Sequence, residues 1–189
     1  MSDPVMVLDY WLGDIGPEGW YAGGEDLDDQ IRGLWLDLWT AARDRGLDHW
    51  ADGPAGSLAL IILADQFPRN MVRGTAAAFA TDPLAREIAR KALAEGWDMQ
   101  APEPERQFFY MPFEHSEDPA DQALAVELMA ERMADHPDSL LHARAHQAII
   151  ARFGRFPFRN AALGRDTTPE EEAFMTGGGY ASMVNDLKA

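Results

Sequence analysis

The chain has 189 residues, 32 acidic against 16 basic side chains, a formal net charge of −16 and no cysteine. That length suits one domain that buries its own core. The lack of cysteine excludes disulfides, thiolate metal sites and a cysteine nucleophile, and the negative field disfavours nucleic-acid backbones and anionic membrane surfaces. No basic run precedes an apolar core near Met1, and the longest apolar stretch, Leu58 to Ala64, falls far short of the roughly 20 residues of a bilayer span. A cytoplasmic location is expected.

Residues 1 to 30 hold eight acids and no lysine or arginine, which reads as a solvated face or, alternatively, as a docking patch for a basic partner. A short first helix is predicted over Val5 to Leu12, followed by a Gly-rich loop from Gly13 to Gly24. Leu27, Ile31, Leu34, Trp35, Leu38 and Trp39 then mark one face of a helix over Asp26 to Arg45, with Gly46 as its stop. The segment Pro54 to Phe67 is apolar on nearly all sides and predicts a central, buried helix that Pro68 stops or kinks.

Asp82-Pro83 starts the next helix, with Ala85, Ile88, Ala89, Ala92 and Leu93 facing inward and Gly96 closing it. A further helix is expected from about Pro102 through the run Phe108 to Met111. Asp118-Pro119 opens another, carrying Leu124, Ala125, Leu128, Met129 and Met133. Leu141, Ala145, Ala148, Ile149 and Phe153 mark the next, ending at Gly154. Thr168-Pro169-Glu170-Glu171 is a capping box for a short helix, and a flexible tail is expected from about Gly177. No segment alternates with period two. The fold class is therefore all-α, a compact multi-helix domain over residues 1–189.

Three segments could carry chemistry. The first supplies Asp65, Arg69, Asn70 and Arg73 from the end of the buried helix; they could line a cleft, or equally satisfy the helix end and one another. The second, around Tyr110, Glu114 and His115, places an acid next to an imidazole, a tunable acid–base pair. The third carries His142 and His146 one helical turn apart, then Arg155, Arg159, Asn160 and Arg165. The histidine pair could begin a metal site, but no third ligand has a diagnostic spacing, so no metal and no cofactor are expected. Arginine forks recognise carboxylate or phosphate, and these arginines could hold an anion or neutralise the chain's own acids. No Gly-x-Ser-x-Gly elbow, phosphate-binding loop, dinucleotide fingerprint or His-Glu-x-x-His is present.

The same segments resemble a known family. Leu63-Ala64-Asp65-Gln66-Phe67-Pro68-Arg69-Asn70, Arg73-Gly74-Thr75, Pro112-Phe113-Glu114-His115-Ser116-Glu117-Asp118, and Arg152-Phe153-Gly154-Arg155-Phe156-Pro157 with Arg159-Asn160 and Leu163-Gly164-Arg165 are similar, in order, to the bacterial domain-of-unknown-function family 924. The resemblance implies a compact helical fold similar to tetratricopeptide-repeat proteins and implies no activity. One position departs from the family pattern: Phe158 stands where members usually carry a histidine, which weakens any mechanism centred on that histidine.

The leading expectation is a protein that binds a small anionic molecule or a peptide terminus. Asp65, Arg69, Asn70, Arg73, Tyr110, Glu114, His115, His146, Arg155, Arg159 and Asn160 would line the site. The alternatives are an enzyme using Glu114 or His115 as acid–base in the same site, and an interaction scaffold.

Overall fold

The computed structural model describes residues 3–188. Every regular element among them is helical and none is a strand, in agreement with the all-α expectation. No helix among them is long and apolar enough to cross a membrane. By its contacts the chain falls into two compact units, one ending at Pro112 and one beginning at Phe113.

In the first unit, α1 (Pro4–Leu8) is capped by the Asp3 carboxylate and runs on through wide π-type turns over Asp9–Ile15. The short α2 (Gly16–Gly19) leads to α3 (Glu25–Arg43), whose buried stripe is Ile31, Trp35, Trp39 and Ala42. That stripe is narrower than the sequence pattern suggests, because Leu34 faces out and is 57% exposed. α4 (Pro54–Ile61) packs against the tight turn Asp48–Asp52. Contact there depends on Gly56, where a Cβ would lie 2.1 Å from the Trp50 carbonyl oxygen. Every residue from Leu58 to Ala64 is buried, as a helix apolar on all sides requires. α5 (Phe67–Met71) and α6 (Asp82–Ala94) complete the unit. Its aromatic centre joins Tyr10, Trp11, Trp20, Trp35, Phe67 and Phe108.

Of the stop or kink expected at Pro68, the structure shows an interruption of the regular helix and not its end. The backbone widens into a π-type turn over Ile62–Gln66, with the Phe67 N–H reaching back to the Ile62 carbonyl, and helical structure continues to Met71. The wider turn makes room for the proline ring and needs no donor from it. Pro68 still leaves the carbonyl four residues earlier, Ala64, without its helical partner. The Thr81 hydroxyl donates to that oxygen at 2.5 Å and in turn accepts from the Trp39 indole N–H at 3.0 Å. One buried hydroxyl thus closes the gap opened by one proline.

The helix expected from Pro102 is replaced by a tight 3-10 turn over Glu105–Phe109, followed by the single helical turn α7 (Met111–Glu114). Prolines at 102, 104 and 112 remove the donors a longer helix would need.

In the second unit, α8 (Pro119–Arg132) starts at the Asp118 cap and α9 (Pro137–Phe153) stops at Gly154 in the left-handed conformation, φ 69°. The two pack along each other. α10 (Pro169–Thr176) carries the full capping box between Thr168 and Glu171. The flexible tail expected after Gly177 is instead α11 (Gly179–Lys188), packed on α9. The reason is apolar spacing: Tyr180, Met183 and Val184 fall on one helical face. Tyr180 and Met183 close over Ile149, Ile150, Phe156 and Phe174, and Val184 is buried. Helix lengths vary throughout without a fixed repeat.

Thr81→Val should destabilise the protein by about 1–3 kcal/mol for each buried polar partner it strands, while Thr81→Ser should restore most of that loss. Urea unfolding of the three proteins reads the difference.

Candidate functional site

The first segment forms two ion-pair groups inside the first unit. Asp65, fully buried in the π-type turn, meets Arg69 at 3.1 Å and accepts from the Gln66 amide at 2.6 Å. Arg69 also binds its own turn through the Asp65 carbonyl and reaches Asp82, at the start of α6, at 3.1 Å. Asn70 and Arg73 converge on Asp28 in the first turn of α3: Asn70 donates at 2.8 Å, and Arg73 grips the carboxylate through Nε at 2.8 Å and Nη2 at 2.9 Å. The Arg73 fork holds the Asp28 carboxyl below its usual range, against the upward push of burial. Tyr110 is buried and donates to Asp98 at 2.7 Å. Asp65 therefore meets a cation of the chain itself, and Arg69, Asn70, Arg73 and Tyr110 meet its carboxylates.

The third segment does the same in the second unit, at Arg155 and Asn160. Arg155 forks onto Glu171 at 2.6 and 2.8 Å, and the Asn160 amide adds a hydrogen bond to Glu171 at 3.2 Å. The Asn160 side-chain oxygen accepts from Arg165, which forks onto Glu117; Glu117 in turn accepts from the Phe156 N–H. This chain of charges folds the 154–168 loop. Glu117 and Glu171 are its acidic hubs. The capping box signals the placement of Glu171, but nothing in the sequence signals its second role as the partner of Arg155.

A different group forms around Glu114, His115 and His146. α7 ends at Glu114, and the Gln122 amide of α8 holds that end by donating to the Glu114 and Ser116 carbonyls, each at 2.6 Å. His146, on α9, presents Nδ1 to Glu114 Oε1 at 2.8 Å and to the His142 carbonyl oxygen at 2.9 Å. A ring nitrogen facing two acceptors carries the proton, so a neutral His146 keeps its lone pair on Nε2.

Burial pushes the Glu114 carboxyl upward, the largest single influence. His146 by charge and hydrogen bond, then His115 and His142, outweigh it and leave the carboxyl below its ordinary range. One ligand-type atom from each of Glu114, His115 and His146 lies within 4.8 Å of the others. Phe156 meets the His146 ring edge-on at 5.5 Å, and Tyr180 lies 4.8 Å from it. Arg159 donates to the His115 carbonyl at 2.9 Å and lies over the Phe156 ring.

The His146 ring thus meets the His142 backbone carbonyl but not the His142 imidazole, and its side-chain neighbours are Glu114 and His115 from a remote segment. His142 turns its Nδ1 to the Tyr180 hydroxyl at 2.6 Å. Phe158, where a family histidine is usual, stacks on Phe156 and is 41% exposed.

The family model described as "Bacterial protein of unknown function (DUF924)" matches residues 7–179. The chain belongs to that family. A solved structure from Agrobacterium tumefaciens, described as a protein of unknown function, is similar at 43% identity and a TM-score of 0.84, over 91% of this chain and 96% of that one. No curated protein matches the chain.

The Glu171 hub gives a pH test. Its carboxyl is held at about 2 against an ordinary 4.5, chiefly by the Arg155 hydrogen bonds. A lowered folded value means the stabilisation is complete above the free-chain value and disappears as pH falls through the folded one. The difference in Tm between wild type and Glu171→Gln should be full at neutral pH and close between pH 4.5 and about 2. Thermal unfolding followed by circular dichroism across that range checks it.

Proposed function

We propose that this DUF924 member is an enzyme that moves a proton on a small anionic substrate from the Glu114–His115–His146 group. The observation that carries the reading is the pair of contacts at His146 Nδ1, 2.8 Å to Glu114 and 2.9 Å to the His142 carbonyl. That pair fixes the tautomer and leaves Nε2 as an electron-pair donor, the arrangement a general base needs. Glu114 is the positioning residue and His146 the base. His115 is the second titratable group of the cluster, its ring 6.0 Å from that of His146. Arg159, against Phe156, supplies positive charge beside the group and favours an anionic substrate.

Arg69, Asn70, Arg73 and Arg155 support a structural role better than ligand binding, because each already meets an internal carboxylate. Pure binding of an anion or peptide terminus is the second reading, favoured by the place of Arg159 over Phe156. Neither reading calls for nucleic acid or membrane, in keeping with a net charge of −16.

Metal-free protein screened against carboxylates, phosphates, esters and short peptides, by thermal shift and by turnover, tests the proposal. A turnover found for wild type should fall by about 10²–10⁴-fold in His146→Gln and persist in Arg73→Gln, with both variants folded. Turnover that survives His146→Gln overturns the assignment. A thermal-shift ligand without turnover, lost in Arg159→Gln and kept in His146→Gln, puts the binding reading in its place.

A further inference from the structure

The acids that form wholly or partly buried ion pairs, among the described residues, divide by the kind of cation they meet. Asp28 meets Arg73, Asp65 and Asp82 meet Arg69, Glu117 meets Arg165 and Glu171 meets Arg155. Each of those partners is a guanidinium, whose charge is permanent. Glu114 is buried as deeply, and its ion-pair partner is an imidazole. An imidazole neutralises a carboxylate only while protonated; when neutral, it offers a lone pair. A second imidazole, His115, stands in the same group. Two nitrogens and a carboxylate within a few ångströms are the donor set of divalent transition metals.

We propose that Glu114, His115 and His146 bind one divalent transition-metal ion of the zinc, cobalt or iron class. The donor atoms lie within 4.8 Å of one another. Ligands around a tetrahedral ion at about 2.0–2.1 Å lie about 3.3 Å apart, so no pair has to close by more than about 1.5 Å. Rotation of three side chains on a fixed backbone covers that movement.

The backbone beneath them is held. Gln122 binds the Glu114 and Ser116 carbonyls, Arg159 binds the His115 carbonyl, and His146 Nδ1 is within hydrogen-bond reach of the His142 carbonyl. The surrounding charge also helps, because a dication enters a protein of net charge −16. Three protein ligands leave at least one open position, so the site is of the type that binds water or substrate on the metal.

This inference rests on the reading that the group is the working centre, and it transfers the role of base from His146 to a water on the ion. His142 lies outside this donor set and turns its Nδ1 to the Tyr180 hydroxyl.

The test uses the full-length protein stripped with a chelator, then titrated with Zn(II) by calorimetry and with Co(II) by visible absorption. The expected result is one ion per chain, d–d bands typical of four- or five-coordinate Co(II), and at least a tenfold loss of affinity in His115→Gln and in His146→Gln. His49→Gln should bind as wild type does. Wild type alone gives a second readout that no unfolded variant can confuse. Saturating Zn(II) should protect His115 and His146, and not the exposed His49, from acylation by diethyl pyrocarbonate, read by mass spectrometry.

Absence of a stoichiometric site, or binding that survives His115→Gln/His146→Gln, overturns the metal site. If metal-free protein turns over a substrate in a His146-dependent way while no ion binds, the proton-transfer reading stands and the metal falls. If one ion binds with the expected variant pattern and the metal-free protein is inert, the metal site stands and the metal-free base falls.

Discussion

A carboxylate taken out of water must keep a counter-charge or give up its own, and this acidic protein buries several. Breaking such a pair by removing one partner costs about 3–5 kcal/mol, since a lone charge is then left in a dry place. That constraint accounts for most of the arginine placement. Asp28 in α3 draws in Asn70 and Arg73 from the end of α5, and so ties the two helices. Asp65 and Asp82 share Arg69 and so tie the π-type turn to the start of α6. In the second unit Glu117 and Glu171 do the same for the loop after α9. The arginines that look from sequence like an anion site are largely the internal cations of an acidic fold.

Backbone groups are settled by the same residues. Pro68 removes one helical donor, and the consequences spread to Ala64, Thr81 and Trp39. The Asp65 carbonyl, in the same widened turn, is taken by Arg69. Arg32 reaches the Met71 carbonyl at the end of α5 with a 2.7 Å hydrogen bond. A proline in a buried helix is tolerable here because polar side chains from α3 and from the turn before α6 stand ready to take up the freed oxygens.

Much of this was legible in the sequence. The starts of α8 and α10, the Gly154 stop and the buried run from Leu58 follow directly from Asp118-Pro119, the Thr168 capping box, a glycine and an unbroken apolar stretch. Glu114, His115 and His146 were all expected in one site, but their direct contact apart from Arg69, Arg73 and Arg155 was not legible, because pairing across remote segments leaves no trace in local spacing. The His142–His146 spacing pointed instead to a pair that does not form. Tyr180 was missed because three glycines before it suggest a loose end, whereas the apolar face that follows binds α11 to α9. At Pro68 a stop or kink was legible but its form was not: the backbone widens into a π-type turn before the proline and helical structure continues beyond it.

The contrast between Glu114 and the acids paired with arginine then carries weight. If this cluster served stability alone, arginine would be the better partner, with a charge that never lapses and a fork that fits both oxygens. The fold uses that solution for Asp28, Glu117 and Glu171. At Glu114 it uses a histidine instead, and sets a second histidine, a tyrosine ring and a phenylalanine ring around it. Gln122 and Arg159 meanwhile fix the backbone on which the acid and its neighbour stand. A centre with a rigid frame and an exchangeable partner has given up some permanence of charge for the ability to accept something in its place. A proton and a metal ion are both species an imidazole lone pair can take, and either would suit this group, rather than the arginine clusters, to the working role we propose for it.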